Sequence, residues 1–450
     1  MGVAIGRNAA AADSPNPPVG ALEYGFWAFL VIAIGRVGEL IPGLKALPIV
    51  KITLGITLLI LIAKWKKLPM LSASARPLAK TSWWILGLAI ILTPLSYWRG
   101  ASLAFVTNEL PVIVVATVLA YMMSRTWQGL RGAMIALIIS GLALTRAALS
   151  GYNGGRAAAD TMYDTNDLAY LLVTLAPIAL GFGLTATKTI WRLGYFGTAG
   201  AFVMVILLTS SRGGFLGLVA VTVLLVLLPI NPPSPEPKKR MSRKTKGKLI
   251  LPLIIALGGF MVVWPYLPQD TRDRIASIVS LQDDYNLDAT NEKSRGRIWR
   301  RGVIASFERP YGYGPRSFGM VDLQFGGKMM APHNSFVQAS VELGILGLIM
   351  FLRMYWLSWR DLGRARSELM RKPELDQEQR EQIIFSRMLQ VGLIGNAVAG
   401  FFLTMAYSSV VWVMFGIVMG VLRRMQAGES AAPAGAPKVA RLSLRSRAKR

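Results

Sequence analysis

The chain contains no cysteine and a single histidine in 450 residues. Without cysteine there can be no disulfide framework, no thiol nucleophile and no thiolate metal site. One histidine leaves too few ligands for a structural zinc site. Charge is scarce as well: charged residues make up 16% of the chain and apolar ones 53%, which argues against a soluble domain or pair of domains of this length. The apolar residues come in long uncharged runs, such as Phe215 to Ile230 and Leu249 to Leu267. Runs near 20 residues match the hydrocarbon thickness of a bilayer. A backbone in lipid must satisfy its own polar groups, so continuous apolar runs mean helices. The polar, proline-containing residues 1–20 lack an apolar core with a cleavage site, so no cleaved signal peptide is expected.

The fold class expected is therefore an all-α polytopic membrane protein. Twelve spans are expected, with cores near 21–38, 47–63, 82–98, 104–123, 130–148, 167–185, 193–209, 213–230, 249–267, 334–357, 388–404 and 407–422. Their orientation follows from the lysines and arginines. Basic clusters follow the second span (Lys64, Lys66, Lys67, Arg76, Lys80) and the eighth (seven between Lys238 and Lys248). Others follow the tenth (Arg360, Arg364, Arg366, Arg371, Lys372, Arg380, Arg387), and the tail carries eight from Arg423 to Arg450. All fall on one side if both termini are cytoplasmic. The net charge of +26 thus reads as topology with attraction to anionic lipid, and no nucleic-acid partner is expected. The layout is a cytoplasmic tail at 1–20, spans one to nine over 21–267, a large outer loop at 268–332, spans ten to twelve over 333–422, and a basic cytoplasmic tail at 423–450. Residues 231–248 and 427–450 have the composition of linkers. The long outer segments, 146–166 and 268–332, are where function is expected.

Three outward-facing features carry candidate chemistry. Ser210-Ser211-Arg212-Gly213-Gly214 turns between the seventh and eighth spans. The glycines imply close backbone approach at a helix start, which suits an anion beside Arg212, although arginine at a membrane boundary also serves as a snorkelling anchor. Ser294-Arg295-Gly296-Arg297-Ile298-Trp299-Arg300-Arg301 gathers four arginines in seven residues. It reads equally as an anion site or as a basic helix resting on headgroups. Pro332-His333-Asn334-Ser335 opens the tenth span. Most lone histidines are structural, but the positive end of a helix dipole disfavours imidazolium, and a neutral imidazole can take a proton. Asp164-Thr165-Asn166-Asp167 reads first as a helix cap, with sugar hydroxyl binding, Asp167 the candidate, or helix positioning at the site as the alternative. The turn Pro310 to Pro315 needs no more than turn chemistry.

These elements in this order resemble the bacterial O-antigen ligase and polymerase superfamily. The resemblance rests on Arg212-Gly213-Gly214 after the seventh span, Arg295 with Trp299, Pro310 through Gly314, His333-Asn334, and Glu342-Leu343-Gly344 with Gly347. It covers about 200 to 350, and the twelve-span plan extends it to the whole chain. The turn at Pro310 to Gly314 is one residue shorter than the family spacing, so no sugar-binding role is carried over for it. The resemblance implies a membrane glycosyltransferase of GT-C architecture in the bacterial inner membrane, with its active site on the periplasmic face. It implies an undecaprenyl-pyrophosphate-linked glycan donor, a lipid A-core or lipid-linked glycan acceptor, and no metal or other cofactor. On that reading Arg212 and Arg295 neutralise the pyrophosphate and His333 is the base. Arg297, Arg316, Asn334, Asp167 and Gly213 are the further substrate-binding candidates. The pattern Asp164 to Ala169 leans toward a polymerase; ligase activity stays open. A transporter or flippase of lipid-linked glycans is the competing reading. The span interiors hold few charges and the chain shows no internal repeat, whereas transporters commonly carry both. A purely structural membrane scaffold is the third.

Overall fold

The computed structural model describes residues 19–41, 43–44, 46–64, 71–159, 163–228, 264–276 and 294–430. All regular structure among these residues is helical, apart from one isolated bridge between Ala159 and Tyr163. Among the described residues six helices are long and apolar enough to cross a membrane: Arg99–Arg125 (α4), Trp127–Ser150 (α5), Thr165–Thr185 (α6), Thr189–Leu208 (α7), Gln377–Gly400 (α14) and Ser409–Gln426, the apolar part of α15. Shorter apolar helices are Ala21–Ile34 (α1), Ile49–Ala63 (α2) and Arg212–Leu227 (α8). Arg76–Leu92 (α3) and Gly344–Leu369 (α13) complete the bundle. The expected ninth span and the basic run before it lie outside the described residues, save for 264–267, as do the chain's first 18 residues and those beyond 430.

The core of the bundle is α6, buried along nearly its whole length and packed by α7, α8 and α14. Small residues let these helices approach: a Cβ on Gly217 would stand 2.9 Å from the carbonyl oxygen of Gly395. This is the packing that membrane helices use where the hydrophobic effect gives no preference. One polar knot ties the helices at depth. Asn396 accepts from Tyr170 (3.2 Å) and Tyr355 (2.8 Å) and donates to Thr174 (2.9 Å), so its buried amide is satisfied.

Two expected spans differ in shape. The first stops at Ile34, because Arg36 takes a left-handed conformation (φ +47°) before a short turn at Val37–Leu40. The tenth is split into Ser335–Glu342 (α12) and α13. The turn at Pro310 to Gly314 enters the break. Tyr313 N and Gly314 N donate to the carbonyls of Val341 and Glu342 (2.9 Å each), and Ile345 N donates to that of Pro310 (2.9 Å). Gly344, at φ +75°, has no room for a Cβ, which would meet the Pro310 oxygen at 2.4 Å.

The outer segment expected at 268–332 carries three helices where described: Gln269–Ala276 (α9), Arg295–Glu308 (α10) and Phe318–Gln324 (α11). It has a small core of its own, with Ile298, Ala305, Phe318 and Val321 packed on Val341 of α12. A buried ion pair from Arg301 to Asp322 (2.7 Å) closes it.

Candidate active site

The site begins with the turn before α8. Ser211 caps the helix through its hydroxyl, which accepts from Gly214 N (3.2 Å). Ser210 holds φ +51°, a conformation that costs a non-glycine residue about 1–3 kcal/mol. Its hydroxyl shares a hydrogen bond of 2.8 Å with Thr271 of α9. The glycines that follow serve close packing: a Cβ on Gly214 would fall 2.4 Å from that of Ala169, and one on Gly213 would fall 2.9 Å from that of Phe402.

The second arm is α10. Ser294 caps it, accepting from Arg297 N at 3.4 Å, and this places Arg295 in the first turn. Four residues on, and so on the same face, Trp299 donates from its indole to the carbonyl of Pro332 (2.9 Å). The Arg-x-x-x-Trp spacing thereby ties the arginine's helix to the residue just before His333. The Trp299 ring also packs edge-on against Phe401, with centroids 5.2 Å apart.

The third arm is the entry to α12. His333 has φ +44°, and its backbone N donates to Thr404 Oγ1 (3.0 Å). Ser335 donates to the carbonyl of Leu403 (2.8 Å). Asn334 is buried, and its side-chain oxygen caps α12 by accepting from Phe336 N and Val337 N. The His333 imidazole is half-buried. Burial and the positive charge of Arg295 lower its pKa from the usual value, against a smaller raising effect from Asp164. At neutral pH it is therefore an uncharged imidazole, free to accept a proton.

The first two arms meet around a small cavity of about 80 Å³ lined by Arg156, Asn166, Ser210, Arg212, Gly213, Arg274 and Arg295. His333 and Asn334 are outside its lining, and His333 is tied to it through the charge of Arg295. Arg212, Gly213 and Arg295 are sequence-predicted residues; Arg156, Asn166 and Arg274 are not. Arg156 leads from the segment between α5 and α6, donating to the Thr209 carbonyl (3.0 Å) and to Asn166 Oδ1 (3.4 Å). It lies within electrostatic reach of Arg274, Arg295 and Asp164. Arg274 comes from α9, the helix that Thr271 fixes to Ser210.

The other predicted residues stand apart from this lining. Asp167 sits half-exposed in the first turn of α6, whose cap Asp164 accepts from Asn166 N and Asp167 N (2.7 and 2.8 Å). Arg297 is half-buried on α10. Arg316 is ion-paired with Glu109, its guanidinium over the rings of Phe105 and Tyr407. The turn Phe401 to Thr404, which braces both Trp299 and His333, carries no sequence signal that singles it out.

Residues 197–352 match a family model described as O-antigen ligase. The match runs from α7 into α13 and takes in Arg212, Arg274, Arg295 and His333, while Arg156 and Asn166 fall before it. The resemblance to the O-antigen ligase and polymerase superfamily is thus borne out over that stretch, and the family and the apolar helices together support a membrane enzyme of the glycan ligase and polymerase type. No curated protein matches the chain.

Proposed function

We propose that the protein transfers a glycan from undecaprenyl pyrophosphate to an acceptor hydroxyl at the periplasmic membrane face. The observation that carries this reading is the gathering of four guanidinium groups, from Arg156, Arg212, Arg274 and Arg295, around one cavity, with the neutral His333 imidazole within electrostatic reach of Arg295. Guanidinium groups bind phosphate oxygens in paired, charge-assisted hydrogen bonds. A diphosphate is already a good leaving group, so the reaction needs its growing charge stabilised more than it needs a proton. Fixed donors aimed at such charge are worth roughly 100- to 1000-fold each.

The acceptor oxygen attacks the anomeric carbon from the side opposite the diphosphate. A carbon–oxygen bond forms to the acceptor as the bond to the diphosphate oxygen breaks, and that electron pair leaves on undecaprenyl pyrophosphate. The acceptor proton passes to His333. General-base help of this kind typically contributes roughly 100- to 10,000-fold. Such a displacement inverts the anomeric centre and is carried by the chain's own side chains. The acceptor is a lipid-linked repeat if the enzyme polymerises, or a lipid A core if it ligates. A gel of products separates the two, since a ladder of lengths marks a polymerase and a single addition marks a ligase.

The test is a defined assay with purified protein in detergent, lipid-linked donor and acceptor, with His333→Ala alongside. Donor consumption without any vesicle supports an enzyme over a flippase. Full activity in His333→Ala removes the base assignment. Activity that EDTA abolishes and a divalent ion restores contradicts the proposed metal-independent chemistry.

A further inference from the structure

At the other end of the bundle, α13 and α14 enclose a groove of about 540 Å³ that the transferase reading does not use. The two helices run back from the candidate site, where Ser335 bonds Leu403 just beyond the end of α14. With 26 residues α13 is about 39 Å long, while a hydrocarbon core is about 30 Å thick. Its last turns therefore emerge from the bilayer.

One stripe of α13 changes character along its length. Leu346, Ile349, Leu352 and Trp356 are 47–55% exposed and follow one another at helical spacing, a mostly apolar face suited to lipid that the exposed Arg353 shares. Past Trp356 the same side of the helix turns basic. Arg360 lies over the Trp356 ring at 4.4 Å and is held by its neighbour Asp361 at 2.7 Å. Arg364 and Arg371 line the groove beyond, and Arg387 closes it from α14. Glu368 is the acidic residue of the lining. With Arg360 neutralised by Asp361, three cations face one anion. Arg387 donates to Gln390 Oε1 (2.9 Å), yet its buried Nε has no hydrogen-bond partner. Gln390 in turn donates to the Trp359 carbonyl (2.6 Å), which fixes that wall.

We infer that this groove binds the phosphate headgroup of an anionic phospholipid, whose acyl chains lie along the Leu346 to Trp356 stripe. Each element matches one part of such a molecule: an apolar track, tryptophans at the depth of the interface, and guanidinium groups placed for phosphate oxygens. A soluble phosphate would use the arginines and leave the apolar track without a role. The site is independent of the transferase reading, and its failure would leave that reading untouched.

The experiment measures thermal unfolding of the purified full-length protein in detergent with added phosphatidylglycerol, phosphatidylcholine or inorganic phosphate. Phosphatidylglycerol is expected to raise the midpoint in a saturable way, with little effect from the other two. The exposed pair Arg364→Gln with Arg371→Gln is expected to weaken phosphatidylglycerol binding about tenfold or more, since each basic residue near an anionic surface contributes appreciably. Lys188→Gln with Arg192→Gln, an equal loss of exposed charge outside the groove, is expected to leave it unchanged. Equal shifts with both lipids, a shift that survives the Arg364/Arg371 pair, or equal loss in the Lys188/Arg192 pair would each overturn the site. A shift reproduced by inorganic phosphate would overturn the lipid as its occupant.

Discussion

The indole of Trp299 donates a 2.9 Å hydrogen bond to the carbonyl of Pro332, and this one contact joins the arginine-bearing helix to the residue before His333. The same ring packs on Phe401, and Phe402 occupies the space that a side chain on Gly213 would need. Arg295, His333 and Arg212 are thus placed by a shared aromatic brace.

Trp299→Phe tests that brace. It keeps a ring against Phe401 and removes the N–H. A misplaced reacting group can lose about 100-fold in rate, whereas one hydrogen bond contributes only about 0.5–1.5 kcal/mol to stability. Transfer rate is expected to fall by about 10- to 100-fold, with the unfolding midpoint little changed. An unchanged rate would mean that Trp299 does not position the site.

Arg212→Ala and Arg295→Ala are each expected to abolish or strongly reduce transfer at normal expression. Arg212→Lys is not expected to restore it, since an ammonium cannot make the paired contacts of a guanidinium. Arg156→Gln and Arg274→Gln are expected to weaken donor use by about 10-fold or more each, as the loss of a charge-assisted hydrogen bond would. Steady-state kinetics on the lipid-linked donor decides. Wild-type behaviour in all four positions would take the anion role from the cavity.

The pH profile tests the base. Arg295 lowers the His333 pKa and Asp164 raises it. Removing the negative charge at Asp164 disfavours the imidazolium, so the pKa falls further. Asp164→Asn keeps an effective helix cap and is expected to move the acidic limb of kcat/KM to lower pH. A shift to higher pH, or none, would contradict His333 as the group that must be neutral.

Gly214→Ala probes the helix contact behind the turn. The added methyl would meet Ala169 at 2.4 Å, and overpacking of this kind typically costs about 1–3 kcal/mol. A lower unfolding midpoint in detergent is expected. No change would show that α6 and α8 can separate freely at this point.

The helical membrane architecture and the three chemical segments were legible because apolar run length, basic-residue bias and local motifs are all short-range signals. Arg295 and Trp299 could be read as a pair through the Arg-x-x-x-Trp element of the family resemblance. Arg156 and Arg274 could not, because each is an ordinary arginine in a polar segment until Thr209 and Thr271 fix those segments at the cavity. Within the basic run at 295–301, Arg301 serves Asp322 while Arg295 serves the cavity. Likewise Arg316 belongs to Glu109, from a segment 207 positions earlier in the chain. Which partner an arginine takes depends on chain distances that no local pattern encodes.

The turn at Pro310 to Gly314 fills the gap between α12 and α13, with backbone groups of Val341, Glu342 and Ile345 as its partners. The extramembrane layer is therefore stitched into a transmembrane helix through main-chain bonds. Grafting another relative's 264–332 segment onto this bundle would fail unless 341–345 travelled with it. A residue inserted in either stretch would therefore disturb the other.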